Sequence, residues 1–168
     1  MTTPDPDPEL AAQGFSIQTG EQRSRGIELD IAGEILSGWK VTASYAYTDA
    51  EVSEDNSIPV GNQLVNVPKN QASLWTTYEI QKGSWKGFGV GLGLFYVGDR
   101  EGDLDNSFEL PDYLRTDAAV YYRRGPFNAA INIRNLFDTD YIRSSEGSRT
   151  FLKSGAPFTI IGSISWEF

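Results

Sequence analysis

Residues 159–168 read TIIGSISWEF, and their pattern decides the fold class. With the preceding Phe158, the side chains of Ile160, Ile164, Trp166 and Phe168 fall on one side of an extended backbone. Thr159, Ser163, Ser165 and Glu167 fall on the other. A period of two is the signature of a strand. Chain ends are usually polar and frayed, yet here the alternation continues to Phe168, so the sequence predicts a strand paired or covered along its whole length. Closure of a sheet into a barrel provides that pairing.

The same alternation recurs upstream. Phe127, Ala129, Ile131 and Ile133 oppose Asn128, Asn132 and Arg134, and across the Gly125-Pro126 turn Leu114, Thr116, Ala118, Val120 and Tyr122 oppose Arg115, Asp117 and Arg123. Phe88, Val90, Leu92, Leu94 and Tyr96 alternate with Gly89, Gly91 and Gly93. A strand from about Asn70 sets Ala72, Leu74, Tyr78 and Ile80 against Ser73, Thr77, Glu79 and Gln81, with Trp75 as the exception on its polar side. A first hairpin turns at Ser37-Gly38, joining Ile27, Leu29, Ile31 and Ile35 to Trp39, Val41, Ala43, Tyr45 and Tyr47. The pattern predicts about seven antiparallel strands in up-and-down order. Residues 1–13, rich in Pro and Asp, are expected to form a loop or disordered lead-in, and 14–168 the strand region.

Short turns alternate strictly with long polar connections at about 51–69, 99–112 and 138–156. That asymmetry belongs to transmembrane barrels, with short periplasmic turns and longer extracellular loops. Mean hydropathy is negative and no apolar run is long enough for a membrane-spanning helix. Barrel strands of about 10 alternating residues escape such scans. With 17 Gly, no Cys, no His and a formal net charge of −9, the composition argues against a nucleic-acid partner. It also excludes disulfides, thiolate metal sites and every catalytic device built on imidazole, so no enzyme activity, metal or cofactor is expected.

The polar face carries Glu28, Asp30, Glu34, Glu79, Arg115, Asp117, Arg123, Arg134 and Glu167. Such mixed charge suits a wet lumen with the apolar face turned to lipid. Trp39, Tyr45, Tyr47, Tyr78, Tyr96 and Tyr122 lie near strand ends, where amphipathic rings form girdles at the headgroup level. Arg143, Arg149 and Lys153 in the last long connection are candidates for contact with an anionic ligand, with lipid A-type phosphates or plain solvation as the alternatives. The GFGVGLG run at 87–93 lacks the strand–turn–helix context of a nucleotide loop; a smooth inner face or close strand packing explains it better. The acidic run DREGDLDNSFE at 99–109 has Leu104 and Leu110 where a calcium loop needs Gly and Glu, and is expected to be a solvated loop.

Several stretches together resemble the C-terminal part of TonB-dependent outer-membrane siderophore receptors of the ferrichrome type: TGEQRSRGIELDI (19–31), GWKVTASYAYTDAEV (38–52), NVPKNQASLWTTYEI (66–80), YLRTDAAVYYR (113–123), NLFDTDY (135–141) and the terminal SWEF. The resemblance covers about residues 14–168. It implies a place in the wall of a roughly 22-stranded, plug-filled barrel, transport of a ferric siderophore energised by TonB through an N-terminal region missing from this sequence, and location in the outer membrane among its lipids. It further implies that Ile164, Trp166 and Phe168 form the C-terminal signal read by the barrel-assembly machinery. MTTPDPDPEL has the features of no secretory signal, so Met1 is expected to be an internal or wrongly assigned start, or the segment to come from a longer precursor. The chain by itself is expected to aggregate or need detergent, since seven strands of so wide a barrel leave two open edges. Two other readings share the strand pattern: a small structural outer-membrane barrel, which needs about eight strands and an even count, and a soluble β-barrel binding module, which turns its apolar face inward.

Overall fold

The computed structural model describes residues 2–4, 7–14, 16–18 and 20–168. Among these lie strands β1 (Thr2–Pro4), β2 (Ser16–Gln18), β3 (Glu21–Leu36), β4 (Trp39–Glu54), β5 (Asn70–Glu79), β6 (Phe88–Val97), β7 (Arg100–Glu101), β8 (Glu109–Leu110), β9 (Tyr113–Arg124), β10 (Phe127–Arg134), β11 (Ile142–Ser145), β12 (Leu152–Ser154) and β13 (Thr159–Trp166), and helix α1 (Pro8–Ala12). Seven of the strands form one antiparallel sheet in the order β13-β10-β9-β6-β5-β4-β3. The short hairpins β7–β8 and β11–β12 sit inside long connections, so every sheet neighbour is the next spanning strand. The fold is all-β and of the up-and-down kind that the alternation predicts.

Register fixes the two faces. One row runs Gly33, Val41, Thr76, Leu92, Ala118, Ile133 and Ile160 from edge to edge. One residue along, the row reads Glu34, Lys40, Thr77, Gly91, Ala119, Asn132 and Ile161. Because the side-chain period is two, this single step exchanges an apolar row for a mostly polar one. The apolar, outer face stays uncovered: Ile131, Ile160 and Ile164 are 51%, 58% and 78% exposed. Isoleucines stacked in a dry interior, which a soluble module requires, are absent among the described residues. Ile161 breaks the pattern as an apolar side chain on the inner face.

The first hairpin is longer than the alternation suggests. Strands β3 and β4 each have 16 residues, or about 50 Å of strand, against the 9–11 residues that cross a bilayer. Along the outer face the Ile27–Tyr47 pair is followed by Arg25 facing Asp49 and Arg23 facing Glu51, and both of these pairs are ion-paired, Arg25 to Asp49 at 2.9 Å. Apolar side chains give way to charged ones within two residues, which sets the upper border of the lipid-compatible band just above Tyr47.

Buried side chains gather beyond that border, at the end with the long connections, where Val52 is 0% and Leu110 1% exposed. The three connections read from the sequence as long, polar and solvated are ordered there. The chain after β4 folds back, with Val52 and Asn62, Gly61 and Val52, and Leu64 and Ala50 joined by backbone hydrogen bonds. Hairpins β7–β8 and β11–β12 occupy the other two. Backbone buried in a loop must find partners, and left-handed residues such as Asn66, Asn106, Asn135 and Asp138 turn the chain so that it can.

Two further differences concern the ends. The stretch 1–13, read as a lead-in, contains β1 and α1. The helix has a capping signature that alternation-based reading passes over: the Asp7 carboxylate accepts the Glu9 N–H at 2.9 Å, Pro8 stands at the first helical position, and Gly14 lies beyond the end at φ 84°. The last strand closes at Trp166 rather than at the final residue. The Glu167 N–H still donates to the Pro126 carbonyl at 3.0 Å, and Phe168 extends past the sheet.

Candidate functional site: a locked loop platform above a charged inner wall

Two asparagines tie the long connections together. The Asn66 side chain both accepts from the Ser145 N–H (2.7 Å) and donates to the Ser145 carbonyl (2.8 Å), clamping the first connection to β11. Asn106 does the same with Gln63, at 2.8 Å and 3.0 Å. A side-chain amide offers a donor and an acceptor in the spacing of a backbone peptide, so each acts as a one-residue strand pairing.

Arg100 forms the centre of the platform. Only 4% exposed, its guanidinium donates to the Pro111 carbonyl at 3.3 Å and to the Ile142 carbonyl. It lies 5.3 Å from the centroid of the Tyr113 ring, which stacks on Tyr141 at 4.3 Å. Burial pulls its pKa below the ordinary arginine value, while Tyr113 and Asp99 oppose that shift. An arginine with carbonyl acceptors and an aromatic face stays charged while dry. At the base of the platform the Asn135 side chain, 1% exposed, donates to the Thr139 and Ala156 carbonyls at 2.9 and 3.1 Å and accepts from the Thr139 N–H at 2.9 Å.

The candidate cations fall on the β11–β12 hairpin without converging. Arg143 sits at a register shift between Ile142 and Ser144, a bulge that re-aims its exposed side chain. Arg149 is engaged, donating to the Ser107 carbonyl at 3.0 Å and lying over the Phe108 ring at 5.0 Å. Lys153 pairs with Glu146 at 2.5 Å. Of the three, Arg143 has the freest guanidinium for a ligand above the loops.

Acidity divides the β7–β8 hairpin. Burial, reinforced by Glu109 and Asp103, pushes the Glu101 carboxyl above the usual carboxylate range against a smaller pull from Lys69, and its Oε2 has no hydrogen-bond partner. Asp103 is lowered by the hydroxyl and N–H of Ser107. An acid whose folded pKa is raised stabilises the fold below its unfolded pKa, and that contribution is lost as pH rises through the folded value; a lowered one acts above the unfolded pKa and fails as pH falls. At neutral pH Glu101 therefore loosens the hairpin that Asp103 tightens. Glu101→Gln is expected to slow hydrogen exchange at the Gly102 amide, which donates to the Phe108 carbonyl at 2.8 Å, at pH 7, with the difference vanishing below the carboxylate range. Equal exchange in both proteins at pH 7 contradicts this.

Below the platform the inner face is aromatic and charged. Glycines 89, 91 and 93 leave a bare strip on β6, and rings from both neighbouring strands fill it. A Cβ on Gly93 would stand 2.5 Å from Trp75, and one on Gly89 2.3 Å from Tyr121. The misplaced Trp75 of the sequence reading is thus the complement of the glycines. Arg115 binds Asp117 through two 3.0 Å hydrogen bonds and covers the Phe95 ring at 4.5 Å. Arg123 covers Tyr121 at 4.5 Å and pairs with Glu79 at 3.5 Å.

On the outer face the expected girdle residues fall at two levels. Trp39, Tyr78 and Tyr122 stand within three residues of the short turns, Tyr45, Tyr47 and Tyr96 toward the long connections. Ile164 and Trp166 also face outward, Trp166 against Phe127 with ring centroids 6.1 Å apart. Arg100, Asn66, Asn106 and Asn135 were missed by periodicity because they lie in the connections. For the three asparagines, residue type at sharp turns was the signal available; for Arg100 there was none.

The sequence model of the family described as "TonB dependent receptor-like, beta-barrel" matches residues 1–136. The chain is similar to the metal-pseudopaline receptor CntO of Pseudomonas aeruginosa (strain UCBPP-PA14), with 35% identity over 158 residues, 92% of this chain and 22% of that protein. It is also similar to the ferrichrome outer membrane transporter/phage receptor of Escherichia coli (strain K12), with 39% identity over 143 residues, 82% of this chain and 19% of that protein. Among solved structures, BauA, the ferric preacinetobactin receptor from Acinetobacter baumannii, superposes with a TM-score of 0.76 at 27% identity, covering 91% of this chain and 23% of that one. The chain spans about a fifth of the length of the curated relatives it matches.

Proposed function

Since this chain belongs to the TonB-dependent receptor-like β-barrel family, we propose that it forms the C-terminal wall and outer loops of an outer-membrane receptor that imports ferric siderophores, energised by TonB through an N-terminal region. The observation that carries this reading is the polarity of the sheet: Ile131, Ile160 and Ile164 are exposed on one face, while ion pairs such as Arg115–Asp117 line the other. A lipid-facing band around a charged wall suits a conduit. Relatives named for ferrichrome and ferrioxamine B support the ligand class.

In this role the chain moves a bound chelate and makes or breaks no covalent bond. The loop platform, locked by Asn66, Asn106 and Arg100, forms part of the outer mouth, with Arg143 offered to an anionic ligand. Residues 14–168 act as one wall segment, Ile164, Trp166 and Phe168 serve the barrel-assembly machinery, and no resident cofactor takes part. Expression of the receptor that contains this segment, in an iron-starved strain without its own siderophore receptors, is expected to restore uptake of radioactive iron from ferrichrome or ferrioxamine B, and loss of TonB to abolish it. Uptake that persists without TonB, or none from either chelate, contradicts the proposal.

A further inference from the structure

The outer face is not uniformly filled. Near the short-turn end a groove of about 580 Å³ crosses β9, β10 and β13, within the size range of small-ligand sites. Its floor is made by the small residues Ala129 and Gly162, its walls by Val120, Tyr122, Ile131 and Ile164. The register explains it: Ala129 lies between Tyr122 and Ile164, and Gly162 beside Ile131. A Cβ on Gly162 meets nothing within 4 Å, so the groove opens outward.

A cation closes its lower end. Arg124 follows Tyr122 on the same face and points its guanidinium to the Tyr122 hydroxyl at 3.5 Å. No carboxylate pairs with Arg124 among the described residues, and Glu167, next to Trp166, turns to the inner face. Exposed Trp85, edge-on to Phe88 at 6.0 Å, marks the headgroup level here. An apolar trough that ends in an unpaired guanidinium at that level matches one chemistry, an acyl chain joined to a phosphate.

We propose that this groove binds one anionic glycerophospholipid of the periplasmic leaflet, an acyl chain lying over Ala129 and Gly162 and the phosphate on Arg124. The proposal rests on the outer-membrane reading above and adds a defined lipid position to it. Lys82 and Lys86, in the adjacent turn, extend the positive field toward the same headgroup.

The test uses the intact receptor in nanodiscs of phosphatidylethanolamine and phosphatidylglycerol, with retained lipid identified by native mass spectrometry after transfer to detergent. Phosphatidylglycerol is expected to be enriched over its proportion in the disc. Arg124→Gln lowers its retention about fivefold and lowers that of phosphatidylethanolamine less, because the ethanolamine ammonium already offsets that lipid's phosphate charge, while Gly162→Leu, which fills the trough, lowers both. Lipids retained in the disc's own ratio, or an unchanged ratio in Arg124→Gln, overturn the proposal and mark the groove as ordinary lipid contact. Heat-modifiable gel mobility reports folding of each variant, and if a variant misfolds the wild-type ratio still decides. A receptor that never enters the disc refutes the membrane reading itself, an outcome distinct from loss of lipid preference.

Discussion

Ile133→Arg is expected to destabilise the folded barrel by about 2–4 kcal/mol, whereas Asn132→Arg, one residue earlier on the same strand, leaves it nearly unchanged. Ile133 occupies the outer row between Ala118 and Ile160, the row that includes Leu92 midway along β6, where a guanidinium reaches neither water nor a headgroup without distorting the bilayer. Asn132 lies in the inner row between Ala119 and Ile161, where Arg134 and Arg115 already show that the face accepts cations. Tryptophan-monitored denaturant unfolding of the intact receptor in phospholipid vesicles measures both. Leu92→Arg, in the same outer row as Ile133, should repeat the loss. Equal effects at 132 and 133 would show that the two faces do not differ as described.

The second large effect concerns the glycine strip. Trp75→Ala is expected to destabilise by about 3 kcal/mol, the lower end for a large aromatic because the ring is half-buried. Gly93→Ala is expected to cost about 1–3 kcal/mol, since its new methyl would stand 2.5 and 2.7 Å from two Trp75 ring carbons and 2.9 Å from Phe95. Both substitutions together should be less damaging than their sum, because the methyl then enters space that the indole has left. A coupling of about 0.5–3 kcal/mol in a double-mutant cycle is the expected signature. Strict additivity would mean that the ring does not lie over the strip.

These two cases also show what the sequence reveals and what it conceals. Alternation placed Ile133 and Asn132 on opposite faces because period-two geometry is local and leaves no freedom once a strand exists. The glycines of β6 and Trp75 of β5 were each visible as oddities in their own strands. Their complementarity was not, because Trp75 pairs with Gly93 only after register is fixed. The platform lay further out of reach. Arg100 meets carbonyls 11 and 42 positions away, and Asn66 reaches Ser145 across 79, contacts that no periodicity encodes. Of the candidate cations, sequence placed Arg143, Arg149 and Lys153 in one connection correctly, but whether each side chain is engaged or free depends on neighbours such as Ser107 and Glu146.

Which face of the sheet meets lipid decides whether the chain is part of a membrane wall. The chain has no Cys, so single cysteines introduced from Phe127 to Arg134 in a receptor background without other cysteines can each carry one fluorophore. Quenching by brominated lipids then reads acyl-chain contact at each position. The expected result is strong quenching at 129, 131 and 133 and weak quenching at 128, 130 and 132. Quenching that shows no period of two, or that favours the even positions, would contradict it.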